Sequence, residues 1–193
     1  MRITIWVTEH PYAQRIAMAL KLGFKDDAVL AMPQLATDET LHATDVHICY
    51  GIMRGMDAIY KRLTDAGKHW FNIDLGYFGA QHFDGQYRIA YKGTQNLFDA
   101  DIQADGAPEF LPWRTDGVDA LICPPTEYTA GFFSVDETQW LEHAMTQAVQ
   151  FGLKAKIRRK DDPEKLDDAL AKAGLVITYN SSVGWKALQQ GIP

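Results

Sequence analysis

Short runs of β-branched and aromatic residues recur along this chain, each closed by turn residues and followed by a segment of helical periodicity, and this alternation constrains the fold more than any other feature. RITIWVT (2–8), DVHICYGI (45–52) and HWFNIDLG (69–76) are such runs in the first half, and DALICPP (119–125), LKAKIRR (153–159) and LVITYN (175–180) in the second. Residues 12–22, 55–67, 135–152, 162–174 and 181–191 read as the helices between and after them. Gly23, Gly67, Gly152, Gly174 and Gly191 stand where those helices should stop, and Asp136 and Asp162 are suited to cap the helices that begin beside them. Strands alternating with helices predict parallel pairing through right-handed crossovers, hence an α/β chain built of doubly wound sheets.

The rhythm breaks at 77–113, which is rich in aromatics, glycine and turn residues and reads as irregular structure with short strands. The Pro, Asp and Gly of LPWRTDG (111–117) read as a linker, so the expected domains are 1–113 and 114–193.

Composition narrows the function classes. With 47% hydrophobic and 23% charged residues among 193, the chain can bury a core and is not a disordered sequence. A net charge of −6 argues against binding nucleic acid or an anionic membrane through the overall field. Cys49 and Cys123 each lie in an apolar run, which predicts buried free thiols and neither a disulfide framework nor a zinc cluster. The opening residues hold too short an apolar run for a membrane span, and a cytoplasmic protein is expected.

Several constellations sit where strands should end. In ITYNSSVGWKALQQGIP (177–193) a strand runs into Asn180, Ser181 and Ser182 and then a helix, so free N–H groups, hydroxyls and the helix dipole could hold a phosphate. Gly184 would allow close approach. An ordinary helix cap needs the same residues and no ligand. LKAKIRRKDD (153–162) crowds Lys154, Lys156, Arg158, Arg159 and Lys160 together in an acidic protein. Arg159 and Lys160, at the carboxyl end of a parallel strand, are the candidates to neutralise a diphosphate, against the reading of a solvated basic edge. CPPTEY (123–128) brings Thr126, Glu127 and Tyr128 to the same mouth, where Glu127 could bond sugar hydroxyls or simply follow a rigid Pro-Pro turn.

In the first half, Glu9 and His10 follow a strand, Arg54 lies in the next strand end (YGIMRG), and Asp74, Gly76, Tyr77 and Gly79 mark the third. Glu9, His10 or Asp74 could act as a general base. Asp74, in an otherwise apolar strand, calls for a partner if buried, and Arg54 is the expected one. His82, Asp84 and Arg88 fall in the aromatic stretch, where they could shape an acceptor pocket but are too few for a metal site. No GxGxxG, GxxxxGK[ST] or GxSxG is present, which excludes the common dinucleotide, P-loop and serine-hydrolase signatures.

The run Asn-Ser-Ser, then V-G-x-x-A-L and a closing G-I-P (180–193) resembles the nucleotide-binding half of GT-B glycosyltransferases, particularly bacterial capsule-type and phage-encoded sugar transferases, and residues 50–93 are similar to such proteins too. The resemblance implies two small Rossmann-like halves with mainly parallel sheets, the acceptor held by the first and the nucleotide-sugar by the second. Asn180, Ser181 and Ser182 would hold the donor phosphates, with Arg159 or Lys160 at a basic position from the preceding strand. It further implies metal-independent transfer, no cofactor beyond the nucleotide-sugar substrate, and as acceptor a hydroxyl of a glycan, a lipid or a modified DNA base. The alternatives are a non-catalytic nucleotide- or partner-binding protein derived from that fold, or a flavodoxin-like or epimerase-like enzyme.

Overall fold

The structure, a computed structural model, describes residues 2–76, 87–94 and 110–193. The chain is α/β and divides into two compact units, Met1–Ile102 and Gln103–Pro193. Tyr77, Gly79, His82 and Asp84 lie outside the described residues.

In the first unit the strands are β1 (Ile3–Trp6), β2 (Ala28–Ala31), β3 (Val46–Tyr50), β4 (His69–Leu75) and β5 (Tyr87–Tyr91), arranged β2-β1-β3-β4-β5. All neighbours are parallel except β4 and β5, which run antiparallel, so the sheet is mixed. Alternation splits β1 cleanly. Ile3 and Ile5 pack with Ala17 of helix α1 (Pro11–Phe24), while Thr4 and Trp6 bond to Thr44 and His47. A further helix, α2 (Asp38–His42), carries a capping box between Thr37 and Thr40. Helix α3 (Met56–Asp65) buries Met56, Ile59, Tyr60 and Leu63, with the Tyr60 ring 4.6 Å from that of Trp70 on β4.

Helix α1 does not stop at Gly23. It runs on to Phe24, and Lys25 takes the left-handed conformation (φ 52°), its carbonyl accepting from the Lys21 ammonium at 2.6 Å. A basic side chain reaching the last carbonyls does the work expected of the glycine.

The second unit has the order β7-β6-β8, all parallel, with β6 (Asp119–Cys123) central between β7 (Lys154–Ile157) and β8 (Ala173–Thr178). Helices α4 (Glu127–Phe133) and α5 (Glu137–Gln150) connect β6 to β7, α6 (Leu166–Lys172) connects β7 to β8, and α7 (Ser182–Gln189) follows. Along β6 the faces alternate: Ala120 and Ile122 pack against Ala144 and Ala148 of α5, and Leu121 and Cys123 against Ala169, Leu170 and Ala187 of α6 and α7. Asp136 caps α5, its carboxylate accepting the Gln139 N–H at 3.1 Å.

Two expectations change here. Asp162 does not cap α6, which starts only at Leu166; its carboxylate accepts the Glu164 N–H instead, at 3.0 Å, within the β7–α6 loop. Gly174 does not end a helix but lies in β8, at a register shift where Asp119 pairs with Ala173 and Ala120 with Leu175. A Cβ on Gly174 would overlap the Gly117 backbone, so glycine is what lets the two chain segments touch. Residues 111–118 are bonded into this unit: Arg114 N donates to Gly191 O at 2.7 Å, its guanidinium to Ala171 O at 2.8 Å, and Val118 N to Lys172 O at 3.2 Å. The stretch read as a linker therefore ties down the ends of α6 and α7.

Candidate functional site

In the second unit the first strand lies between the second and the third, so the connection from β6 runs to one side and that from β7 crosses back to the other, and the carboxyl ends of β6 and β8 flank the switch point of the sheet. Open α/β sheets bind ligands at such points. A cavity of about 420 Å³ opens there, within the range of small-molecule sites. Three loops build it: Cys123 to Thr126 after β6, Arg158 to Lys160 after β7, and Asn180 to Ser182 after β8.

Each loop is fixed by its own bonds. Thr126 caps α4 by accepting the Thr129 N–H at 3.3 Å, and both threonines line the cavity. The β7–α6 loop is held through Arg158, which donates to the Glu164 carbonyl at 3.1 Å, and through the Glu164 carboxylate, which takes Lys156 at 2.5 Å and Lys172 at 3.1 Å. Those two bonds hold Glu164 below the usual carboxylate range, and the same contact raises Lys156. Ser181 is a helix cap, accepting the Val183 N–H at 3.2 Å. Ser182, exposed at the first position of α7, lines the cavity with Asn180.

Among the described residues the wall carries Arg158, Arg159 and Lys160 and no carboxylate, in a protein of net charge −6. Cys123 lines the floor; burial pushes its thiol up, against an opposing pull from Arg158. Arg159 pairs with Glu137 in the first turn of α5 at 2.5 Å. Lys160 has no side-chain partner among the described residues.

Of the expected phosphate ligands, Arg159, Lys160, Asn180, Ser181 and Ser182 come together at this cavity. Gly184 and Glu127 are not part of its wall. A Cβ at Gly184 would stand 3.0 Å from Thr178 Cγ2, so this glycine lets α7 lie on β8. Glu127 opens α4, in place of the expected plain turn. Thr129 and Glu137 escaped the sequence reading, although Thr126-x-x-Thr129 is a recognisable helix start.

In the first unit, His10 is the N-cap residue of α1, with its ring 6.0 Å from that of Tyr50 and 5.2 Å from that of Tyr12. Burial, reinforced by the nearby Arg54 charge, lowers its pKa. Glu9 beside it is exposed. Asp74 does not pair with Arg54. The antiparallel β5 sets Arg88 directly opposite, and the two form an ion pair at 2.9 Å. Arg54 instead occupies an exposed turn in the left-handed conformation (φ 60°).

Among the described residues no three His, Cys, Asp or Glu side chains gather where they could hold a metal ion, and no helix is long and apolar enough to cross a membrane. No protein-family model matches the chain, and no curated protein matches it either.

Proposed function

We propose that the second unit binds the phosphates of a nucleotide-sugar and that the chain is a glycosyltransferase acting on a hydroxyl acceptor. The observation that carries the reading is the cavity at the β6/β8 switch point, which among the described residues is walled by three cations and by hydroxyls, with no carboxylate. Such a wall favours a ligand of concentrated negative charge. An aromatic pair adds the rest of a nucleotide: Phe133, one turn along α4 from Thr129, lies 5.7 Å from Tyr179, which adjoins Asn180, and both rings are partly open to solvent. Aromatic faces of this kind stack on nucleobases.

In the transfer, the bond from the sugar's anomeric carbon to the diphosphate breaks as the acceptor oxygen bonds to that carbon and gives its proton to a base. Charge gathers on the departing diphosphate, where Arg159 and Lys160 would stabilise it. Among the residues of the first unit expected as a base, His10 has a lowered pKa, which keeps its imidazole neutral near pH 7. Asp74 is already engaged by Arg88. That engagement also favours a second reading, a nucleotide-binding protein without transfer activity.

Calorimetric titration with UDP, GDP, CMP, ADP and their sugar conjugates tests the binding. One of them should bind, and Arg159→Gln with Lys160→Gln should abolish it; binding that survives the double substitution defeats the assignment. Donor hydrolysis or sugar transfer by the purified chain separates the enzyme from the binding protein.

A further inference from the structure

The three cations of the cavity are not equally available. Arg158 is committed to its own loop, donating to the carbonyls of Glu164 at 3.1 Å and Arg159 at 3.5 Å. Lys160 points no charge at any described partner. Arg159 stands between these cases: its guanidinium is half exposed (53%), yet Nη2 is held 2.5 Å from Glu137 Oε1. Glu137 itself is not in the cavity wall; it reaches Arg159 from the first turn of α5, behind the Asp136 cap. A carboxylate oxygen thus occupies, on Arg159, the place that a phosphate oxygen of a ligand would take.

Resting on the phosphate reading above, we infer that Glu137 is a specificity-determining residue: it engages Nη2 of Arg159 at the cavity wall, so that one phosphate is served by Lys160 while a second must displace the Glu137 carboxylate. A partly exposed pair, with Arg159 half open to solvent and Glu137 less so, is weak enough for a dianionic ligand group to exchange with it, yet strong enough to alter affinity. The cost falls on ligands that need Arg159. Orthophosphate, satisfied at Lys160, does not meet it, whereas pyrophosphate does.

The test is calorimetric titration of the whole chain with inorganic orthophosphate and pyrophosphate, using wild type, Glu137→Gln, Arg159→Gln and the double variant. Glu137→Gln should tighten pyrophosphate about two- to fivefold, the range of an exposed ion pair, and leave orthophosphate unchanged. With Arg159 already replaced, adding Glu137→Gln should change nothing. Glu137→Asp, which keeps an acidic first turn on a shorter arm, should move pyrophosphate affinity in the same direction by less. The inference is overturned if Glu137→Gln leaves pyrophosphate affinity unchanged or weaker, or if both anions gain equally. Wild type binding neither anion removes the phosphate reading itself and this inference with it; wild type binding pyrophosphate without a gain in Glu137→Gln removes the inference alone.

Discussion

His47 Nδ1 accepts the indole N–H of Trp6 at 3.2 Å, with both side chains buried in the first unit. The ring is fully enclosed, and with Nδ1 accepting it carries its one proton on Nε2, so a second proton would have to enter at Nδ1 against the Trp6 N–H as a buried charge. Burial accordingly lowers its pKa from 6.5 to about 4. Between those values the unfolded chain holds a proton that the folded one does not, so stability is complete above about pH 6.5 and declines as pH falls toward 4. The decline should amount to at most about 3 kcal/mol. Urea unfolding across this range measures it. His10 adds a decline of the same sign, separable with His10→Gln. His47→Gln, which keeps an acceptor for Trp6, should flatten most of the slope; a slope that persists in that variant defeats the assignment.

The loop after β7 divides its basic residues between structure and ligand. Lys160→Gln should weaken pyrophosphate binding about tenfold, the scale of one charge-assisted bond, with no change in melting temperature. Arg158→Gln removes the bond to the Glu164 carbonyl and should lower stability by about 1 kcal/mol. Paired thermal-shift and titration measurements decide this. Equal effects of the two substitutions on both readouts would contradict the division.

The cavity at the β6/β8 switch point is legible in the sequence because parallel strands place their carboxyl ends on one edge, so Arg159, Lys160 and Asn180 to Ser182 are assigned to a single mouth from strand positions alone. What the sequence did not carry was the use of each side chain. Whether Ser181 caps or binds depends on where its hydroxyl turns, and it turns to the Val183 N–H. The pairing of Asp74 with Arg88 needs the antiparallel β5: short strands are expected in 77–113, but no local pattern there says which residues pair with β4. Strand β2 and helix α2 lie in 24–44, where AVLA and DETLH are too short for periodicity to register. Gly174 looked like a helix stop because a bulge glycine and a cap glycine are the same letter.

Beneath the turn after β3, Tyr60 donates to the Gly51 carbonyl at 2.8 Å and accepts from Asn72 Nδ2 at 2.5 Å. Asn72 is fully buried on β4, so these bonds answer for a polar group that water cannot reach. Tyr60→Phe should destabilise the chain by about 1–2 kcal/mol, the cost of stranding a buried amide. Denaturant unfolding gives the number, and a loss below measurement error would show that Gly51 alone suffices for Asn72.

Gly152 and Gly191 both follow helices with positive φ, 70° and 69°, yet they differ in what surrounds them. A Cβ at Gly152 meets nothing within 4 Å, so Gly152→Ala should cost only the left-handed backbone, about 1 kcal/mol. At Gly191 a Cβ would overlap the Pro112 carbonyl oxygen, which belongs to the segment that bonds Leu111 to Gln189 and Arg114 to Gly191. Relieving that overlap means moving the strap away from the end of α7, so Gly191→Ala should cost about 2–3 kcal/mol more than Gly152→Ala. Urea midpoints of the two variants make the comparison. Equal losses would mean that residues 111–114 yield freely and hold α7 only weakly; the larger loss at Gly191 would mark the strap as part of what keeps α7, and with it Ser182 and Asn180, in place at the cavity.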